Sequence, residues 1–340
     1  MPKKHKADID QVRDAPFSFE LKEAGKFEKL LTIDDELTIL TDQGVYRFRH
    51  ADKTDPARQN LEILNTFQCV FPFEEKYTLA QWIFRTAVTL YAEDTGLRKD
   101  ISVNNVLSKC ISIARDFWDI EAQIKHLVEI ENIEEKTFNE REIESNTIVL
   151  PSAPDYRPAF SGFLTKANHI WRDLHEIIKE CFQGGEWKNT FDGFNGYLRQ
   201  EYGEGDPFFL FSSDSLYQLK SVRNTRNALE HPDEQKSLEF RDYILTEENI
   251  IFKPAIKIQH PEITQDFVSV SMFMEKFAEN LAYIVEGYLV SACAYNTEKL
   301  GLFEYVVLPI EGRDDQHVFE RYEWRLLRID DPIDANGSAN

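Results

Sequence analysis

Apolar residues between Val103 and Val128 recur at spacings of three, four and seven residues along the chain. A strand turns its side chains to alternate faces, so it cannot place this pattern on one side, whereas an α-helix can. Ser102 precedes the run, and serine is a favoured N-cap residue because its hydroxyl accepts a free backbone N–H. The sequence therefore predicts a long helix that starts after Ser102 and is buried along one face.

The same kind of spacing predicts further helices at 160–182, 212–230 and 266–297. Strand-like alternation lies mainly near the two ends of the chain, and two more strands are predicted within 237–258. We therefore predict a mostly α fold, a helical bundle with β-strand additions at the N- and C-terminal ends.

This pattern divides the chain into three segments. Residues 1–57 are predicted to be a β-rich N-terminal segment in which Asp34 and Asp35 form a turn. Residues 58–300 are predicted to be the helical domain. Residues 301–340 are predicted to be a C-terminal β-hairpin followed by a disordered tail.

The charge of the chain limits the partners that it can bind. The 340 residues include 39 Lys and Arg against 60 Asp and Glu, which gives a formal net charge of −21. Such a chain does not coat nucleic acid or an anionic membrane through its bulk charge, so contact with a polyanion must be local. A hydrophobic content of 42% excludes global disorder.

Cysteine usage and hydropathy predict the compartment. No apolar run reaches the roughly 20 residues that a membrane span needs, so we expect no membrane association. The cysteines lie far apart and form no Cys-x-x-Cys pair, which is typical neither of a structural zinc site nor of a disulfide scaffold. We expect a cytoplasmic protein without a metal or other cofactor. The four cysteines are Cys69, Cys110, Cys181 and Cys293.

One window departs from the acidic background. Residues 216–229 contain Lys220, Arg223 and Arg226 and no acidic residue. Arg226 falls on the apolar stripe of the predicted helix, and burial of an unpaired guanidinium is costly, so we expect it to meet a fixed partner, a cleft or a subunit interface. Pro232 disfavours the α conformation at His231, so the helix is expected to end there. The helix dipole favours the protonated form of a histidine at that end.

The run Arg226-Asn227-Ala228-Leu229-Glu230-His231 resembles the signature of the HEPN superfamily, in which an arginine and a polar residue precede a histidine in a helical bundle. Many members are metal-independent ribonucleases of toxin–antitoxin or antiviral systems, and the Arg and His of two protomers meet across a dimer interface. The resemblance implies a homodimer that cleaves RNA, with an antitoxin or another protein as a further partner.

The resemblance also assigns roles. Arg226, Asn227 and His231 would be catalytic: His231 would move the proton of the ribose 2′-hydroxyl, Arg226 would stabilise charge on phosphorus, and Asn227 would orient the histidine or hold a phosphate oxygen. Lys220 and Arg223 would bind the RNA backbone. No metal is required for this chemistry.

Other interpretations remain open. Arg226 pairs with Glu230 at i,i+4 and His231 caps the helix in the simplest structural alternative. In another alternative the chain is a non-catalytic, HEPN-like dimeric binding or scaffold protein, in which Arg226 and His231 stabilise the dimer interface. A third interpretation makes the acidic surface a docking site for a basic protein. Trp171 and Cys181 are predicted to be core residues, and His175 an ordinary helix histidine.

Overall fold

The computed structural model describes residue 13 and residues 24–60, 62–74, 78–92, 96–141, 147–310 and 321–329. Of these described residues, 51% are helical and 24% lie in strands. The helices are α1 (Ala51–Thr54), α2 (Thr78–Tyr91), α3 (Val103–Glu140), α4 (Tyr156–Cys181), α5 (Phe191–Tyr202), α6 (Pro207–Glu230) and α7 (Val270–Ala294). The strands are β1 (Phe27–Ile33), β2 (Glu36–Thr41), β3 (Gly44–Arg49), β4 (Thr66–Pro72), β5 (Ser237–Arg241), β6 (Ile244–Leu245), β7 (Ile251–Phe252), β8 (Ala255–His260), β9 (Ile263–Ser269), β10 (Lys299–Leu300), β11 (Phe303–Pro309) and β12 (Tyr322–Arg328).

The strands pair into four antiparallel sheets. β1, β2, β3 and β4 form a meander in chain order. β8 lies between β5 and β9 in a second sheet, and β6 pairs with β7 in a hairpin. β10, β11 and β12 form the fourth sheet near the C-terminus.

The prediction of a mostly α bundle with β-strand additions at its ends is wrong, because the fold is mixed α and β. Two of the four sheets lie between α6 and α7, where the chain forms five strands within 237–269. Ala255, Ile256 and Ile258 of the central strand β8 are buried. A short central strand buried on both faces shows little alternation, so its pattern is weak in the sequence.

The long predicted helix is confirmed as α3, which spans 38 residues and starts where the Ser102 hydroxyl accepts the backbone N–H of Asn105. α3 packs along α4, and α2 and α7 complete a central helical layer. Their buried side chains belong to one hydrophobic cluster, which also takes in residues of the first sheet and of β8. No helix in the described part of the chain is long and apolar enough to cross a lipid bilayer.

Two buried glutamates connect separate parts of the fold through hydrogen bonds. The Glu121 carboxylate accepts the first two backbone N–H groups of α2, at 2.9 and 3.1 Å, and so caps that helix. The Glu286 carboxylate accepts the indole N–H of Trp82 at 2.6 Å and a guanidinium N–H of Arg321 at 3.0 Å. Burial raises the pKa of both carboxyl groups, while these hydrogen bonds act in the opposite direction.

α6 carries four of the five predicted site residues, the fifth, His231, follows its last residue, and the ends of the helix are well defined. The Asp206 carboxylate accepts the backbone N–H groups of Phe208 and Phe209 at 2.9 and 3.0 Å, and Pro207 occupies the first turn. At the other end His231 is the C-cap residue, and its backbone N–H bonds the Asn227 carbonyl at 2.9 Å. The helix therefore stops where the sequence predicts.

Candidate functional site

The five predicted site residues fall into two groups on α6 and its C-cap residue. Lys220 and Arg223 line a cavity between α4, the start of α5 and α6. Arg226, Asn227 and His231 lie at the end of the helix and are not part of that cavity wall. We call the segment from Arg226 to His231 the motif turn, and the cavity beside Lys220 and Arg223 the basic cavity.

In the motif turn, Arg226 is paired with an acid of its own helix. Its Nε donates to Oε1 of Glu230 at 2.8 Å, and the two side chains are 37% and 38% exposed. The imidazole of His231 is exposed and has no hydrogen-bond or ionic partner among the described residues. The structure of one chain thus contains the i,i+4 pair between Arg226 and Glu230 that the simplest structural alternative expects. The imidazole of His231 remains accessible to a ligand.

The expectation that Arg226 lies on the buried stripe of α6 does not hold. The face that packs inward near the end of the helix presents Val222, Thr225 and Ala228, all at most 1% exposed. Asn224 is also buried, and its side-chain amide donates to the Glu262 carboxylate at 2.7 Å. These small and polar residues fit closely against the inserted sheet, so the buried face is rotated away from Arg226.

The basic cavity encloses about 330 Å³. α6 contributes Leu216, Leu219, Lys220 and Arg223, at positions i, i+3, i+4 and i+7. This spacing places the four side chains on one face of the helix, as the helical period requires. Lys220 and Arg223, the two residues predicted to bind substrate, therefore line the same cavity.

α4 faces α6 with the same spacing. Asn168, Trp171, Arg172 and His175 occupy positions i, i+3, i+4 and i+7 and line the opposite wall. Sequence reasoning missed this half of the site, because Trp171 was assigned only to the core. Its core position is confirmed, at 6% exposure, but the residue also lines the cavity.

The cavity carries an excess of positive charge. Arg172 and Arg223 are exposed, and neither has an acidic partner among the described residues. Lys220 is neutralised in part, because its Nζ lies 2.9 Å from the Asp192 carboxylate. Three cationic side chains therefore meet one carboxylate, in a chain whose net charge is −21.

Buried polar atoms lie beside these charges. The indole N–H of Trp171 and Nε2 of His175 are buried without a hydrogen-bond partner. The His175 ring packs edge-on against Trp187 and Phe191, at centroid distances of 5.4 and 5.1 Å. Burial lowers the pKa of His175, so the imidazole is uncharged at neutral pH.

A second cavity of about 340 Å³ adjoins the first, and Asn189 lines both. It lies against the end of α4 and is bounded by Phe182, Gly185 and Trp187. Because Trp187 also packs on His175, the two cavities form neighbouring parts of one grooved surface.

Comparisons of the chain with protein-family models, with curated proteins and with solved structures find no match. The role of the candidate site is therefore inferred from its residues and their contacts alone. No group of three His, Cys, Asp or Glu side chains in the described residues is arranged to hold a metal ion. Cys181 is a buried core residue, as predicted, and Cys293 is buried as well. Burial raises the pKa of the Cys181 thiol to about 12. That thiol is a poor nucleophile at neutral pH.

Proposed function

We propose that this chain is a metal-independent endoribonuclease that acts as a homodimer through Arg226, Asn227 and His231. The observation that supports the proposal most is the exposed, unpartnered imidazole of His231 at the end of α6, in the same turn as a half-exposed guanidinium. A histidine is the side chain best suited to move protons near neutral pH. The proposal places the reaction in the cytoplasm, where thiols stay reduced.

The reaction is an attack of the ribose 2′-oxygen on the adjacent phosphorus. The bond between phosphorus and the 5′-oxygen breaks, which leaves a 2′,3′-cyclic phosphate and a free 5′-hydroxyl. His231 accepts the proton of the 2′-hydroxyl, and a second imidazole gives a proton to the leaving 5′-oxygen. Arg226 stabilises the negative charge on the phosphoryl oxygens.

A second copy of the chain supplies what one copy lacks. The described contacts of one chain join Arg226 to Glu230 and leave His231 facing solvent. Two motif turns related by a two-fold axis would bring two histidines and two arginines to one phosphate, because the same patch meets itself in a two-fold interface.

A non-catalytic HEPN-like dimer that binds a partner is the second candidate. The pair between Arg226 and Glu230 favours it, because a neighbouring carboxylate repels the phosphate that Arg226 would stabilise. In this candidate the motif turn contributes only to dimer stability or to partner binding.

The deciding experiment is cleavage of a single-stranded RNA in EDTA by the wild-type chain and by Arg226→Ala and His231→Ala. We expect cleavage by the wild type and a loss of at least about 100-fold in each variant, the size of a general acid–base contribution. His126→Gln serves as the control, because His126 is an exposed histidine on α3, away from the site.

Circular dichroism and sedimentation would show that the variants stay folded and dimeric. Cleavage that persists in both variants would contradict the assigned roles. No cleavage by the wild type, together with dissociation of either variant into monomers, would favour the binding candidate.

A further inference from the structure

The basic cavity has the size and the lining of a site for a small, flat molecule. Its volume of about 330 Å³ is near the lower end of the roughly 300–1,000 Å³ typical of small-molecule sites. Leu216 and Leu219 supply an apolar wall opposite Trp171. Asn168 and Asn189 add amide groups, each of which both donates and accepts hydrogen bonds.

The charges of the cavity select an anionic ligand. Arg172 and Arg223 have no acidic partner among the described residues, and they lie on facing helices. Guanidinium groups bind phosphate oxygens in pairs of parallel hydrogen bonds, which makes arginine well suited to phosphate. The first turn of α5 also borders the cavity, and the N-terminal end of a helix favours an anion.

The buried polar atoms of the wall indicate that the cavity is built for a polar ligand. Trp171 is only 6% exposed, yet its indole N–H has no partner in the described structure. The side chain of His175 is 12% exposed, and its Nε2 is also without a partner. A buried polar group without a hydrogen bond costs roughly 1–3 kcal/mol, so these two groups together favour a ligand that satisfies them.

We infer that the basic cavity binds one nucleotide unit, with the base between Trp171 and the leucines of α6 and the phosphate on Arg172 and Arg223. The amides of Asn168 and Asn189 contact the edge of the base. The site uses neither Arg226 nor His231, so it is separate from the proposed cleavage site on the same helix.

The nucleotide unit can belong to a free nucleotide or to an RNA strand. The RNA source rests on the proposed function, since the cavity would then hold an unstacked base of the strand beside the cleaved phosphate. The neighbouring cavity at Trp187 lies where the next base of a strand would follow. The free-nucleotide source does not depend on any cleavage.

Calorimetric titration of the full chain with adenosine 5′-monophosphate, adenosine, inorganic phosphate and a ten-residue oligoadenylate tests the site. We expect the monophosphate or the oligonucleotide to bind one per chain, and adenosine and phosphate alone to bind at least about tenfold more weakly. Binding of the monophosphate alone indicates a free nucleotide, and binding of the oligonucleotide alone indicates RNA.

Arg223→Gln and Arg172→Gln should each weaken binding about tenfold, which is the effect of losing one charged hydrogen bond. Trp171→Phe keeps a ring and removes the indole N–H, so it should also weaken binding. The control is Arg115→Gln, because Arg115 is an exposed arginine on α3 without an acidic partner among the described residues.

Two results would overturn the inference. One is the absence of binding by both the monophosphate and the oligonucleotide. The other is an equal loss of affinity in Arg115→Gln and in Arg223→Gln. RNA cleavage with an unchanged KM in Arg223→Gln and Arg172→Gln would reject RNA as the source of the nucleotide unit and leave the proposed function standing. Nucleotide binding by a chain that does not cleave RNA would reject the proposed function and leave the cavity standing.

Discussion

Arg226 is held by Glu230 through an exposed pair, and the strength of that pair decides whether the guanidinium is available to a phosphate. Exposed i,i+4 pairs stabilise a helix by about 0.3–0.5 kcal/mol. Thermal energy at 25 °C is about 0.6 kcal/mol, so the pair opens readily. A phosphate that accepts two hydrogen bonds from arginine therefore competes well with the Glu230 carboxylate.

Glu230→Gln should raise the rate of RNA cleavage at low substrate concentration by about fivefold. The substitution removes the negative charge that lies 2.8 Å from the Arg226 guanidinium, and a like charge about 4 Å from a bound phosphate would cost about 1 kcal/mol in water. The measurement is kcat/KM with a fluorescent RNA in EDTA. Glu204→Gln is the matched control, because Glu204 forms an exposed pair with Arg199 away from the motif turn. An unchanged or lower kcat/KM in Glu230→Gln would mean that Glu230 does not oppose the substrate.

The sequence predicted half of the candidate site at the level of residues. The family resemblance assigned Lys220 and Arg223 to the RNA backbone, and they also stand out because residues 216–229 contain no acid. Arg172 and His175 were missed, although they show the same spacing on α4. That spacing defines a face of α4, but only the packing of α4 against α6 shows that this face borders a cavity.

Two glycines on α5 differ in the space around them, although both are helical. A Cβ atom at Gly193 would lie 2.3 Å from the backbone carbonyl oxygen of Lys188, whereas one at Gly196 would meet nothing within 4 Å. The chain just before α5 therefore packs against the first turn of the helix. That turn borders the basic cavity, so its position bears on the site.

Gly193→Ala should lower the free energy of unfolding by about 1–3 kcal/mol, because backbone atoms must move to make room. Gly196→Ala should raise it by up to about 1 kcal/mol, since alanine favours a helix more than glycine does. Urea unfolding followed by circular dichroism measures both. Equal effects of the two substitutions would contradict the close contact at Gly193. Weaker nucleotide binding in Gly193→Ala alone would also connect this turn to the cavity.

Helices were more predictable than sheets in this chain, for a physical reason. The period of α3 repeats over 38 residues, and the Ser102 cap marks its start. Asp34 and Asp35 also form the predicted turn, with both φ angles near +55° in a two-residue hairpin loop. The inserted strands have two to seven residues each, and β5, β8 and β9 pack against α6, so tertiary contacts that the sequence pattern does not show contribute to their formation.

The net charge of −21 and the buried carboxyl groups both make the folded chain more stable in mildly acid solution than at higher pH. Self-repulsion of an acidic chain decreases as the pH approaches the pI of about 4.8. Burial raises the pKa of Glu121 and Glu286 in the folded chain. A carboxyl group with a raised pKa adds stability below its ordinary value of about 4.3, and this stability is lost as the pH rises through the folded value.

The carboxylate of Glu36 has the opposite effect on stability, which decreases at low pH when this group is protonated. Burial would raise its pKa, but the hydrogen bond from Arg49 and the charge of Arg47 outweigh burial and lower the pKa. The stability that this carboxylate contributes is present above its ordinary pKa and is lost as the pH falls through the folded value. The described groups therefore predict maximal stability in mildly acid solution, between the two effects.

The free energy of unfolding should be higher near the pI of about 4.8 than at about pH 8 or about pH 3. Urea unfolding at constant ionic strength measures it. Glu286→Gln should reduce the fall in stability as the pH rises above about 4.3, because glutamine cannot lose a proton inside the core. Glu129→Gln is the control, since Glu129 is an exposed residue of α3. A pH dependence of stability in Glu286→Gln equal to that of the wild-type chain would contradict the raised pKa of Glu286.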